Sequence, residues 1–307
     1  MLKFETEQRI YEIGGFKIGG QPGQLPTVLI GNLFYKGMSD VSDHRRGIFD
    51  EDSVLKWIRR SQKLSHRTGV PHFLDIMARY PEAMRRYVTF VSEHSECVLL
   101  VDGANPEARI AGLETVRELG LQDKTIFNAL APHTSREEIK VLRRSGVTAA
   151  IVITYNEMDF SPEGRVSVLK QTVQGASPPT IVERSGIEKI LVDTMVFDVP
   201  SIAYAIETIK LVKGDFGYPS GCSPANATYD WKRSQDKSLQ KAFPAYNASA
   251  HTAAQFGGAD FLIYGPIKQV RSILPTCAMN DAILAYYGQR RLGIKPLSSS
   301  HPLSKIF

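Results

Sequence analysis

A polar residue closes one short apolar run after another along this chain. Phe73-Leu74 ends in Asp75, Val98-Leu99-Leu100-Val101 in Asp102, Thr125-Ile126-Phe127 in Asn128, and Ile190-Leu191-Val192 in Asp193. Each run has the length of a buried strand, and a helical pattern follows each. Strands that alternate with helices build a parallel sheet, because a parallel neighbour is reached only through a crossover. In a closed (β/α)8 barrel the side chains at the C-terminal strand ends meet round one opening. The recurrence therefore points to an α/β barrel and gathers three aspartates and an asparagine at a single place.

Eight such units fit in one domain spanning residues 1–307. Thr27–Ile30, ending at Gly31-Asn32, opens the series, and Thr148–Thr154 supplies the fifth strand. Gly217–Asn226 reads as the seventh strand end with a Gly/Pro/Ser-rich turn, and Phe261–Tyr264 closes the set. Asp50, Asn105-Pro106 and the Ser135/Glu138 pair mark helix starts. Lys3–Ile18 alternates around Gly14-Gly15 as a β-hairpin, which caps the N-terminal end of the barrel. Tyr35–Phe49 reads as a long polar loop, and Gln174–Pro179 as another with a short helix after it. A doubly wound sheet is the alternative; no GxGxxG follows the first strand, which counts against it.

Bulk properties exclude several function classes. The net charge is +5, but the basic pairs Arg59-Arg60, Arg85-Arg86, Arg143-Arg144 and Arg290-Arg291 fall on different helices. No nucleic-acid stripe follows from that pattern. No apolar run is long enough to span a bilayer, and the charged N-terminus lacks a signal-peptide core, so membrane insertion is not expected. The three cysteines form no CxxC or Cys/His cluster. Neither a disulfide framework nor a zinc site is signalled, and a reducing, cytoplasmic setting is expected.

Buried carboxylates repel one another unless something donates hydrogen bonds between them. A guanidine-like edge does so, since one carboxylate accepts two parallel N–H bonds from it, and a pterin presents such an edge. Magnesium held by carboxylates and an asparagine is the competing explanation, although no phosphate-binding loop accompanies it. Taken singly, each strand-end residue reads equally well as a helix cap or a loop hydrogen-bonder. Asn105 and Asp198, however, stand further along for that task. Cys222, within Pro219-Ser220-Gly221-Cys222-Ser223-Pro224, reads as a nucleophile or as a small packed residue. His133 reads as an acid–base group or a solvated loop residue. Asn226 and Trp231 follow the seventh strand at positions suited to ligand contact. Lys189 begins the sixth strand rather than ending it, which leaves no Schiff-base lysine at the opening.

Gly19-Gly20-Gln21-Pro22-Gly23, Pro26-Thr27-Val28-Leu29-Ile30-Gly31, Phe34-Tyr35, Val41-Ser42-Asp43 and Gly47-Ile48-Phe49-Asp50 resemble the N-terminal signature of the H-subunit family of tetrahydromethanopterin S-methyltransferase. The resemblance continues through the strand-end residues to Phe216-Gly217-Tyr218-Pro219-Ser220-Gly221-Cys222-Ser223-Pro224-Ala225-Asn226-Ala227, and so covers essentially the whole chain. It implies a pterin-binding TIM barrel that moves a methyl group between N5 of a reduced pterin and a cobalt corrinoid on a partner protein. The chain looks most like a soluble methylcorrinoid:tetrahydrofolate methyltransferase. The implied reaction takes the methyl group of methylcob(III)alamin to N5 of tetrahydrofolate, giving 5-methyltetrahydrofolate and cob(I)alamin. The same chemistry on tetrahydromethanopterin within a larger complex, a dihydropteroate synthase, and a non-catalytic pterin-binding subunit are the alternatives.

By position, the resemblance makes Asp102, Asn128 and Asp193 pterin anchors and Asp75 a fourth. Either Asn226 or the Gly221-Cys222 turn then lies near N5. Asp102 and Asp193 are expected to fix the pterin edge, Asn128 to hold a ring carbonyl or N–H, and Asn226 to stabilise charge developing at N5. No metal is expected in the chain itself. A methylated corrinoid protein is the implied partner, docking on the Tyr35–Phe49 loop and the 155–185 segment, and a homodimer is implied by the resemblance alone.

Overall fold

The computed structural model describes residues 3–174 and 179–307. Eight parallel strands close into a barrel in sequential order: β1 (Val28–Leu33), β2 (His72–Ala78), β3 (Leu99–Gly103), β4 (Thr125–Leu130), β5 (Ala149–Ile153), β6 (Lys189–Asp193), β7 (Ser220–Cys222) and β8 (Phe261–Pro266), with β8 pairing back onto β1. The longer helices of the outer shell are α1 (Glu51–Thr68), α2 (Pro81–His94), α3 (Pro106–Glu118), α4 (Arg136–Ser145), α5 (Pro162–Val173), α6 (Ile202–Asp215), α7 (Pro224–Ser234), α8 (Phe243–Phe256) and α9 (Val270–Tyr287). This is the TIM barrel that the alternation of runs and helices anticipates.

Side chains alternate between the barrel interior and the helix shell, as the strand period of two requires. Val28, Ile30, Phe73, Leu100, Ile126 and Leu191 fill the interior. Leu74, Leu99, Phe127 and Val192 pack outward against the helices. The N-terminal hairpin is shorter than expected, Ile10–Ile13 against Phe16–Gly19. It still closes the N-terminal end: Ile13 and Ile18 are buried in the same apolar cluster as the interior residues, and the Gly14 amide donates to the Asp123 carbonyl.

The helix starts form at the expected residues. Asp50 accepts from the Ser53 amide, Asn105 from the Ala108 amide, and Ser135 with Glu138 forms a full capping box. Two segments differ from expectation. The Tyr35–Phe49 loop contains a small antiparallel pair, Val41–Asp43 with Ile48–Phe49. The segment after β5 holds α5, a full helix, as well as the short Ile181–Ser185 helix. Ser161 caps α5 by accepting from the Gly164 amide, and a Cβ at Gly164 would stand 2.4 Å from Asp159. Residues 175–178 of the Gln174–Pro179 loop lie outside the described residues.

Gly69, in the left-handed region with φ +80, ends α1 where the C-terminal tail crosses it, and a Cβ there would fall 1.8 Å from the Ser300 carbonyl oxygen. Backbone on both sides leaves no room to relax. Gly69→Ala is expected to cost about 2–3 kcal/mol, combining left-handed strain with the clash; an unchanged urea midpoint would show that the tail does not bind there.

Candidate active site at the barrel mouth

Strand register decides which polar side chains converge. Asn32 lies opposite Asp75, Asp102 opposite Asn128, and Asp193 opposite Gly221. Each shares the inward parity of Ile30, Phe73, Leu100, Ile126 and Leu191 below it. The four strand-end residues read from sequence, Asp75, Asp102, Asn128 and Asp193, thus stand together in one layer at the C-terminal mouth, over an apolar floor. Asp75 is almost wholly buried, and Asn128 Nδ2 donates to its Oδ1 at 3.4 Å. Asp193 Oδ1 accepts from the Met195 amide at 2.8 Å.

Sequence reasoning passed over a fifth member. Asn32 sends Nδ2 to Met77 Sδ at 3.1 Å, while its Oδ1 is buried without a partner. Its signal was the same polar end to an apolar run, interrupted only by Gly31. Arg165 was also missed. Its guanidinium donates to the Thr194, Met195 and Phe160 carbonyls at 2.7, 2.9 and 3.0 Å and lies over the Phe197 ring. It thereby sets the turn that carries Asp193 into the mouth, with Met195 held at φ +58.

The ring is rich in acceptors and poor in donors. Burial raises Asp193 to about 6, against the opposing Met195 amide and Arg165. Burial likewise raises Asp102 to about 6, with Arg109 opposing. Asp75 is pushed well above the usual carboxylate range, first by burial and then by the neighbouring Asp102 charge. Arg109 cannot neutralise the site, because Glu138 and the Gly103 carbonyl already occupy it. Among the described residues no three His, Cys, Asp or Glu side chains stand close enough to hold a metal ion.

The seventh unit divides its candidates. Gly221 faces inward beside Asp193, and a Cβ there would lie 2.1 Å from the Phe261 carbonyl oxygen. Cys222, one residue on, turns the other way: it is fully buried among Leu29, Leu262 and Ala227 in the helix shell. Burial, then Asp193, pushes its thiol well above the ordinary range. The Cys222 side chain thus faces the helix shell, and of the Gly221-Cys222 turn it is Gly221 that faces the mouth. Asn226 is exposed in the first turn of α7, with its Oδ1 accepting from Ser223 Oγ at 3.3 Å. Trp231 packs edge-on against Tyr246, and His133 is exposed.

Residues 6–297 match the family model described as the tetrahydromethanopterin S-methyltransferase MtrH subunit. The chain belongs to that family. It is a methyltransferase of pterin chemistry. The chain is 34% identical to the H subunit of tetrahydromethanopterin S-methyltransferase from Methanothermobacter marburgensis, the match covering 100% of both chains. It is 35% identical to the H subunit of a putative mtx methyltransferase from Methanosarcina barkeri, again over 100% of each. In fold it resembles the 7,8-dihydropteroate synthase of Vibrio fischeri, with a TM-score of 0.62 over 90% of this chain and 98% of that one at 14% identity. A Yersinia pestis dihydropteroate synthase gives 0.60 over 91% and 100% at 13% identity. At such identities the likeness is one of architecture. No helix among the described residues is long and apolar enough to cross a membrane.

Proposed function

We propose that this chain exchanges a methyl group between N5 of a tetrahydromethanopterin-type pterin and a corrinoid carried by a partner protein, as one component of a larger methyltransferase. The names of its full-length relatives favour tetrahydromethanopterin over the tetrahydrofolate expected from sequence. The observation that carries the pterin assignment is the unpartnered Asn32 Oδ1 within a ring of buried carboxylates, acceptors awaiting a ligand rich in N–H donors. A pterin's amino-pyrimidinone edge supplies such donors in parallel pairs.

The corrinoid, when bound, supplies or accepts the methyl group at its cobalt. The chain's own contribution is orientation. Asp102 and Asp193 accept from the pterin edge, Asn128 and Asn32 hold the remaining ring polar atoms, and Asn226 stands at the rim to meet charge developing at N5. As N5 bonds the methyl carbon, the bond to the carrier breaks and its electron pair leaves with the carrier. The N5 proton, acidified by the new positive charge, passes to water at the rim. Tetrahydropterin N5 is already nucleophilic, so no strong base is needed. Fixing an in-line approach is worth about 7–11 kcal/mol in well-oriented systems.

Calorimetric titration with both pterins from pH 5 to 7.5 tests this reading. Tetrahydromethanopterin is expected to bind at least about tenfold tighter than tetrahydrofolate, roughly 1.4 kcal/mol. An ionised carboxylate accepts a parallel pair of N–H bonds more strongly than the neutral acid, which turns one oxygen into a donor. With Asp102 and Asp193 both held at about 6, affinity is therefore constant well above pH 6 and falls below it. Equal affinities would remove the preference for tetrahydromethanopterin. Failure of both pterins to bind would end the pterin reading, and tightening on acidification would overturn the acceptor roles.

A further inference from the structure

The net charge of +5 is not spread evenly along the chain. Residues 53–68, nearly all of α1, hold Lys56, Arg59, Arg60, Lys63 and Arg67 and no aspartate or glutamate. Those five cations equal the net charge of the whole chain, so the remaining residues balance. Their spacings of three and four place them on one helix face. At 3.6 residues per turn they fill a sector about 100° wide and about 16 Å long. Val54, Ile58 and Ser61 lie on the opposite side, in the core. All five cations are exposed, and no apolar side chain of α1 is exposed beside them. Among the described residues none of the five meets a carboxylate.

Cations on other helices are compensated locally. Arg85 pairs with Glu114, Arg86 with Glu51, Lys140 with Glu137 and Lys210 with Glu207. In α1 the neighbours at four positions are like charges instead: Lys56 with Arg60, Arg59 with Lys63, and Lys63 with Arg67. Each such pair weakens the helix that carries it. The positive field widens on the α9 side, where Arg271 and Lys268 lie over the Trp57 ring at 5.0 and 5.9 Å from its centre. Lys268 is taken up by Asp40, whereas Arg271 is exposed and adds to the stripe.

A row of cations at helical spacing is matched by carboxylates at the same spacing. Three of the five are arginines, whose guanidinium takes a carboxylate through two parallel bonds. A lipid surface fits less well, because a helix lying on a bilayer buries apolar side chains beside its cations, and this face exposes none. A nucleic acid also fits less well. Packed into the shell against α9, α1 cannot enter a groove, and it exposes no aromatic ring on which a base could stack. We infer that the outer face of α1 is a docking surface for an acidic helix of a partner protein, whose carboxylates lie along Lys56, Arg59, Arg60, Lys63 and Arg67. This surface is on the flank of the barrel, so the inference stands whether or not the mouth binds a pterin.

The probe is a stapled, fluorescent helical peptide with glutamates on one face at the same three- and four-residue spacings. Its control has the same composition with the glutamates spread round the helix. Anisotropy titration with the full chain is expected to show saturable binding of the striped peptide below about 0.1 mM, with the control at least about tenfold weaker. Raising salt from about 0.1 to 1 M shortens the Debye length from about 10 to 3 Å and should release the peptide. Arg59→Glu combined with Lys63→Glu should weaken binding at least about tenfold. Glutamate keeps the helix propensity and breaks up the like-charge pairs, so the thermal midpoint should hold or rise. Lys63→Gln combined with Arg67→Gln, a milder change, should weaken binding by a smaller factor. Arg143→Glu combined with Arg144→Glu, on α4, should leave it unchanged. No saturation, equal affinity for the two peptides, or binding that survives both α1 variants would overturn the docking surface. Stripe-dependent pelleting with phosphatidylglycerol vesicles, without peptide binding, would overturn the protein assignment in favour of a lipid surface.

Discussion

Asp193→Asn should lower pterin affinity about 100-fold, roughly 2.8 kcal/mol, while raising the thermal midpoint at pH 7. The binding loss follows because the amide keeps one acceptor and turns an NH2 group toward ligand donors, replacing a charge-assisted pair with a repulsion. The stability gain follows from the same burial. Asp193 sits at about 6 in the folded chain and near 3.9 unfolded, so the folded state binds more protons between those values. The group's cost to stability is absent below about pH 4, grows as pH rises, and is complete above about pH 6. Removing it at pH 7 should recover about 1–3 kcal/mol, a few degrees in a chain of this length. Asparagine Oδ1 can still accept from the Met195 amide, so the turn survives. A variant that lost both affinity and stability would mark Asp193 as a scaffold residue. Calorimetry beside a thermal melt decides between the two.

Lys213→Met is expected to be the most damaging single change outside the site. Lys213 Nζ lies 2.6 Å from both Asp260 oxygens and 3.0 Å from the Gly20 carbonyl, and Asp260 also accepts from the Ser220 amide. Both side chains are almost fully buried. This one contact ties α6, the N-terminal segment, the start of β7 and the approach to β8. Removing the lysine leaves a buried carboxylate with only an amide partner, a loss of about 3–5 kcal/mol. Urea unfolding measures it. Adding Asp260→Asn to the variant should return part of the loss, because the uncompensated charge is then gone. A loss under 1 kcal/mol would indicate that water already solvates the pair.

The barrel was readable because its strands are apolar on both faces and stop at a polar residue, a pattern that survives without knowledge of neighbours. Asp75, Asp102, Asn128 and Asp193 were found by that rule, and Asn32 obeys it as well, hidden behind Gly31. Cys222 was not decidable from sequence. In a strand of three residues no alternation can be seen, and its outward direction follows only from the pairing of Gly221 with Asp193. The helix α5 was obscured by Gly164 and several β-branched residues along its length, although Ser161-Pro162 carried a start signal. Arg165 and Lys213 depend on Thr194 and Asp260, 29 and 47 positions away, which no local pattern reports.

The hairpin and the apolar interior stop the barrel at its lower end, so the strand-end ring can be reached from one side only. On the proposed function, the pterin and the methyl carrier share a single doorway. The molecule seated on the ring then sits beneath the one that delivers or removes the methyl group. Traffic through such a dead-end shaft obeys last in, first out: pterin enters before the carrier docks and departs after it leaves. Steady-state kinetics would record this as compulsory-order addition, with the docked carrier acting as the cork that sets how long the pterin stays.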